Sequence, residues 1–274
     1  MRKQITKFTS ILCVLFTLLL PLTSCQTSQS DNQKLKESQE ATMKPTPTPT
    51  TSTIPSEAPT QEPTIAPVST IKNTEPFTLT FMGHASVKLK SKAGKIIYID
   101  PNSGTGNFSE PADFVLVTHA HDDHKPLDTV ARKTECIQIT TAEGIKNGVY
   151  QTFDYGDIQI EAVPAGGNEN HVIGNGVGYI VTIDGVTIYH AGDTSMIEEM
   201  KQLTARKLDY AMFPIDGMYN MAATEATEVA NLVGAKHNIP IHDMNDSNQH
   251  KEDNFTPEGR LILALDETIS LSGK

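Results

Sequence analysis

From Phe77 onward the chain alternates short apolar runs with polar breaks, the pattern of strands separated by turns. Strand-like runs recur at 77–81, 95–99, 114–118, 158–163, 177–183, 186–189, 210–213 and 268–271. A further short run, Ile239-Pro240-Ile241, precedes His242. The spacing predicts a helix over 224–233, where Ala226, Val229, Ala230 and Val233 share one face, Thr224 caps the start and Gly234 ends it. Another helix is predicted over 196–203. Strands in hairpins first, then strands alternating with helices, predict an α/β fold of two sheets sandwiched between helices. No internal repeat stands out.

Before Phe77 the pattern changes twice. Arg2, Lys3 and Lys7 precede an apolar run over 11–20, too short to span a bilayer comfortably. Small residues then lead to Leu22-Thr23-Ser24-Cys25. This reads as a signal peptide over 1–24, and its ending resembles a bacterial lipobox. The resemblance implies cleavage before Cys25, lipid attached at Cys25, and a mature chain anchored outside the cytoplasmic membrane. Residues 25–75 are rich in Ser, Thr and Pro, opening a Pro/Thr tract at Pro45. Such a segment cannot bury apolar area and is expected to be a disordered tether. Residues 76–274 then form one domain, large enough for a substantial core.

Composition narrows the partners. The net charge of −11 argues against nucleic acid. It also disfavours loose adhesion to anionic lipid, so membrane association falls to the lipid anchor. Of the three cysteines, Cys13 lies in the leader and Cys25 takes lipid, leaving Cys136 without a disulfide partner and expected as a buried small hydrophobe.

The candidate chemistry is concentrated in His119-Ala120-His121-Asp122-Asp123-His124, directly after an apolar run. Imidazole and carboxylate are the ligands of zinc and its first-row neighbours, and a strand that stops abruptly can aim alternate side chains at one point. His119 and His121 would share one ion while Asp123 and His124 turn toward a second. Three later strand ends offer the missing ligand types: His171, Asp193 and His242. Reactive residues gather at strand ends because a rigid sheet positions the loops there.

The series resembles the metallo-β-lactamase superfamily over residues 77–272. The matching pieces are Met82-Gly83-His84-Ala85-Ser86, Ile97-Tyr98-Ile99-Asp100-Pro101, Thr118 to His124, Gly178-Tyr179-Ile180, Tyr189-His190-Ala191-Gly192-Asp193-Thr194 and the 240–242 strand end. The Gly-His-Ala-Ser and Tyr-His-Ala-Gly-Asp-Thr blocks are most similar to the branch holding ascorbate-6-phosphate lactonase and the N-acylphosphatidylethanolamine phospholipase D. The resemblance implies a four-layer αββα sandwich. It implies two divalent metal ions, zinc foremost, with manganese or iron accepted by the same ligands. His119, His121 and His171 would hold the first ion, Asp123, His124 and His242 the second, and Asp193 would bridge both. Water activated between the ions would attack an ester, lactone, amide or phosphodiester bond, with Asp123 doubling as the catalytic proton acceptor. The substrate would be a small molecule or a lipid derivative.

His84, Asp216 and Tyr219 are candidates for the substrate pocket. Asp216 stands where such relatives commonly carry a small residue, and Asp243 where they often carry an aromatic. His190 is expected to pack in the core, and His237 and His250 to sit in loops or face solvent. A reading from another class is a metal-dependent binding protein that keeps the fold without turnover.

Overall fold

The computed structural model describes residues 75–273 apart from 103–104, 126 and 244–250. The expected leader, the tether, Cys25 and His250 lie outside the described residues. The first sheet runs β14-β1-β2-β3-β4-β5 and the second β13-β12-β11-β10-β9-β8. In the first, β1 (Thr78–Phe81), β2 (Val87–Lys90), β3 (Ile96–Ile99) and β14 (Thr268–Ser270) pair antiparallel. The sheet continues parallel through β4 (Ala112–Leu116) to β5 (Arg132–Ile139). After a one-turn helix, α1 (Thr141–Gly144), a small hairpin pairs β6 (Ile145–Lys146) with β7 (Val149–Tyr150).

The second sheet repeats the scheme. Here β8 (Thr152–Asp154), β9 (Ile158–Pro164), β10 (Val177–Ile183) and β11 (Val186–His190) pair antiparallel. Parallel pairs to β12 (Tyr210–Pro214) and β13 (His237–Ile241) follow. Each parallel set brings the carboxyl ends of its strands to one edge, where open α/β sheets place their sites.

Side-chain alternation builds three apolar layers. Leu79, Ile97, Ile99, Phe114 and Leu116 face Ile160, Tyr179, Val181, Ile188 and Met212 between the sheets. On the outer side of the second sheet, Ile180, Tyr189 and Phe213 pack under α2 (Ala223–Val233) through Ala226, Val229, Ala230 and Val233. The outer side of the first sheet, with Tyr98, Val115 and Val117, is covered by Phe108 and Val130 from its loops. Among the described residues that cover is loop, and the two stacked sheets with α2 on the second keep the expected α/β sandwich.

Several expectations need correcting. The N-cap of α2 is Ala222, with no side-chain cap, rather than Thr224; Gly234 ends the helix in the left-handed region as expected. The segment expected as a helix over 196–203 is a 3-10 helix, Glu198–Arg206. Its buried N-cap Ile197 and its buried residues Met200 and Leu203 recur every third position, which matches a three-residue turn. Cys136 is half-buried because β5 is an edge strand. His237 lies in β13 rather than a loop, its ring stacked 4.8 Å from that of Tyr210 on the neighbouring parallel strand.

Candidate metal centre

Five strand ends and their loops deliver the site. His119, His121, Asp123 and His124 follow β4, and His171 lies in the loop between β9 and β10. Asp193 follows β11, His242 follows β13, and His84 enters from the β1–β2 turn. Ligand atoms of His119, His121 and His171 lie within 4.8 Å of one another, as do those of His84, Asp123, His124 and His242, and those of His119, His124 and Asp193. Asp193 stands between the first two groups. Its Oδ2 is 3.3 Å from His171 Nε2 and 3.2 Å from His242 Nε2, and its Oδ1 is 3.4 Å from His124 Nε2. The structure thus brings together every ligand the sequence nominated, in three overlapping groups of donors around Asp193.

The outer nitrogens explain why the inner ones point inward as bare acceptors. Asp100, fully buried at the end of β3, accepts hydrogen bonds from Thr118 N (2.7 Å), Thr118 Oγ1 (2.7 Å) and His124 Nδ1 (2.9 Å). Because the Thr118 hydroxyl gives its proton to Asp100, it must accept from His119 Nδ1, 3.0 Å away. His171 Nδ1 donates to the Tyr219 carbonyl (3.2 Å), and His242 Nδ1 lies 3.1 Å from Asp216 Oδ2. His119, His124 and His171 therefore direct Nε2 to the centre, the tautomer a metal ligand requires, and His242 turns its Nε2 to the same point. Asp100 was quoted in the sequence resemblance but given no role. Its signal is an acid closing an all-apolar parallel strand.

A cation fits this donor set. His124 Nε2, His242 Nε2 and Asp193 Oδ1 are buried with no hydrogen-bond partner, an arrangement costly without a positive charge among them. In the ion-free protein, protons answer that demand. Burial pushes the His242 imidazole down, but Asp193 and Asp216 outweigh it and raise it to about 10. Burial would raise the Asp193 carboxyl, yet His242, His124 and His119 hold it well below the usual range. Burial holds His119 at about 4, so it stays neutral with its lone pair available.

The backbone is shaped to the same end. Gly192, before Asp193, has φ +63, and a Cβ there would meet the Val177 carbonyl at 2.9 Å. Three non-glycine residues of the site also sit in the left-handed region: His84 at φ 55, Asp100 at φ 47 and His242 at φ 52.

Two cavities open at the centre. One, of ≈ 630 Å³, lies beside His119, His121 and His171, with Ala120, Ala142, Ile145, Val172 and Val177 in its wall. The other, of ≈ 570 Å³, exposes Asp123, Glu169, Tyr219 and His242. Neither has a lysine or arginine in its lining among the described residues.

The substrate-pocket candidates divide. Tyr219 lines the second cavity and is 43% exposed, in place to meet a ligand. His84 packs its ring 3.9 Å from that of His242 and bonds Asp123 Oδ2 through Nε2 at 3.0 Å. Asp216 does not line either cavity: its carboxylate stands behind His242, held by the backbone N–H groups of Met218, Tyr219 and Asn220. His190 is buried as expected, with Nε2 on the Ala85 carbonyl and Nδ1 accepting from Gly192 N.

Comparison with known proteins agrees with this geometry. The family profile for the beta-lactamase superfamily domain matches residues 78–242, from β1 to the last ligand. A UPF0173 metal-dependent hydrolase of Pyrococcus furiosus is 34% identical over 191 residues, 60% of this chain and 83% of that protein. One from Methanoregula boonei is 36% identical over 183 residues, 60% of this chain and 81% of its own length. A crystal structure described as a metal-dependent hydrolase of Parabacteroides distasonis superposes with a TM-score of 0.58 at 29% identity, covering 68% of this chain and 91% of that one. With the ligand set assembled at the strand ends and these relatives on either side of it, the chain belongs to the metallo-β-lactamase superfamily and is a metal-dependent hydrolase.

Proposed function

We propose that the protein hydrolyses an uncharged carbonyl ester or lactone bearing a compact apolar arm, at a centre of two divalent cations, zinc foremost. The observation that carries the two-ion reading is Asp193, placed between one group of three imidazoles and a second group of imidazoles with Asp123. Bound cations would supply charge to stabilise the developing oxyanion and acidify a water for attack.

The chain's own residues do the rest. Asp123, with its side chain 45% exposed and its Oδ2 held by His84 Nε2, opens onto the second cavity. It is the group placed to accept a proton from attacking water and to orient it. The apolar wall of Ala120, Ile145, Val172 and Val177 takes the substrate's arm and keeps solvent from the scissile bond. The same linings favour an ester or lactone over a phosphodiester, since among the described residues neither offers a lysine or arginine to receive a phosphate and Glu169 stands beside the opening. This reading leaves the lactonase-like branch as the nearer analogue, without its phosphate.

The address belongs to the same proposal. Residues 1–24 direct export, Cys25 carries lipid, and residues 25–75 hold the catalytic domain clear of the outer face of the membrane.

The test is purified mature domain, its metal content measured, assayed on a short acyl nitrophenyl ester, a short-chain lactone and a bis-nitrophenyl phosphodiester. Turnover of ester or lactone that chelator abolishes and zinc restores, with Val172→Arg lowering it, is the expected result. Faster turnover of the phosphodiester would overturn the substrate reading. Stoichiometric metal with no turnover on any substrate would favour a metal-dependent binding protein.

A further inference from the structure

Three of the ligands come from the second sheet, each on a separate strand end or loop: His171, Asp193 and His242. We infer that one short turn, residues 216–220, is the clamp that sets all three, with Asp216 and Asn220 as its positioning residues. The inference rests on the metal-centre reading above and adds to it residues that touch neither ion nor substrate.

Each ligand meets a different member of the turn. Asp216 Oδ2 lies 3.1 Å from His242 Nδ1, at the edge of the ring away from the centre, as a charge contact rather than an aligned hydrogen bond. Asn220 Nδ2 donates to Asp193 Oδ2 at 3.0 Å and to Asp216 Oδ2 at 2.7 Å, tying the two carboxylates together. The Tyr219 carbonyl accepts from His171 Nδ1 at 3.2 Å and from Asn168 Nδ2 at 3.0 Å, so it also steadies the loop that carries His171.

The turn itself is built to be rigid. Asp216 Oδ1 accepts from the backbone N–H groups of Met218 (2.7 Å), Tyr219 (2.6 Å) and Asn220 (3.3 Å). Gly217 N bonds the Met221 carbonyl at 3.1 Å and Met221 N bonds that of Thr194 at 3.3 Å, which fastens the turn to the segment after Asp193. The Asp216 side chain is 0% exposed. A carboxylate in that position needs compensating donors, and the turn supplies them through three backbone N–H groups and Asn220, while the His242 ring stands 3.1 Å from its second oxygen.

The division of labour is chemical. One oxygen of Asp216 holds the turn and the other serves the ligand. An outer carboxylate on a liganding imidazole fixes its orientation and raises its basicity toward a metal, and removing such a partner typically weakens binding about 10- to 100-fold. Asn220 plays the corresponding part for the shared carboxylate, leaving Asp193 Oδ1 free to face His124. The first-sheet ligands are served separately by Asp100 and Thr118.

The test compares wild type with Asp216→Asn and Asn220→Ala. Asp216→Asn keeps an oxygen for the three backbone donors and removes the charge on the His242 side, so the turn survives while the clamp on the ligand weakens. The readouts are the zinc dissociation constant by chelator competition, the visible spectrum of the cobalt-substituted protein, and the melting temperature of metal-free protein. The expected result is affinity about 10- to 100-fold weaker in each variant with an altered cobalt spectrum, alongside a lower metal-free melting temperature, because each variant also leaves buried hydrogen-bonding groups unpaired. Affinity within twofold of wild type in both variants would overturn the clamp. So would a loss of affinity matched by a fall in metal-free melting temperature with an unaltered cobalt spectrum, which reassigns the turn to folding alone. Wild-type protein that takes up no zinc would overturn the metal-centre reading and the clamp with it.

Discussion

Asp100→Asn is the most discriminating substitution outside the ligand set, because it changes one atom and disturbs two histidines. Oδ1 of Asp100 accepts from the Thr118 N–H, while Oδ2 accepts from both the Thr118 hydroxyl and His124 Nδ1. An asparagine that keeps its oxygen on the backbone N–H turns its NH₂ toward two donors. Two buried hydrogen bonds to a charged acceptor are lost, at roughly 1.5–3 kcal/mol each, so the metal-free protein should lose about 3–6 kcal/mol. Part of this is recoverable if His124 moves its proton to Nε2 and accepts from the new amide. That relief puts a proton on the nitrogen meant for the metal. Stability and affinity should therefore trade against each other, with zinc binding weakened by about 10- to 100-fold or more. Urea unfolding of metal-free protein and chelator competition for zinc measure the two arms. A variant within about 1 kcal/mol of wild type that also binds zinc normally would refute the tautomer argument.

Further outcomes follow from other parts of the fold. Tyr179 is buried, and its hydroxyl reaches the carbonyls of Val117 and Ile139, both at 3.0 Å, at the ends of β4 and β5. Tyr179→Phe should cost about 1–3 kcal/mol in urea unfolding, and a loss below ~0.5 kcal/mol would show the carbonyls to be otherwise satisfied. Burial would raise the Asp113 carboxyl, but Lys133, the Ile96 N–H and Lys95 outweigh it and hold it low. A depressed acid contributes stability above its unfolded value of ~3.9 and loses it as pH falls through the folded value. Asp113→Asn should thus be less stable than wild type at neutral pH, with the gap closing below about pH 4; a gap that is constant across pH would be the wrong result. Gly192→Ala should lose roughly 1–3 kcal/mol and weaken zinc binding, since its Cβ faces a backbone carbonyl beside Asp193; normal stability in thermal melts would contradict that.

Much of the site was legible because its signals are local. The stop of β4 into His119-Ala120-His121-Asp122-Asp123-His124 announces ligands, and the apolar face of 226–233 announces a helix. The strands that escaped notice are those whose pattern is half polar. In β2, Lys88 and Lys90 alternate with buried Val87 and Leu89, and both lysines pair with Glu110. In β5, the first four residues are exposed because the strand lies at the sheet edge. Residue roles that depend on distant pairing were not legible at all. Asp100 acts on Thr118 and His124 only because β3 and β4 lie side by side in parallel. Asp216 looked like a pocket residue because its strand end is near the centre. Its orientation follows from the three backbone donors that its own turn offers. Whether an outer layer is helix or loop was equally hidden, since Phe108 and Val130 cover the first sheet from segments without periodicity.

The left-handed conformations of His84, Asp100 and His242 have a consequence for how the fold can change. Side chains with a Cβ resist that region, at a cost of order 1–3 kcal/mol apiece. Glycine would relieve the backbone at each position, but at Asp100 it would forfeit the buried hydrogen bonds to Thr118 and His124, and at His84 and His242 it would empty a packed ring site. Two imidazoles and a carboxylate held at such angles therefore mark where the backbone gives up ease so that a side chain can be aimed, and any relaxed replacement there loses the aim along with the strain.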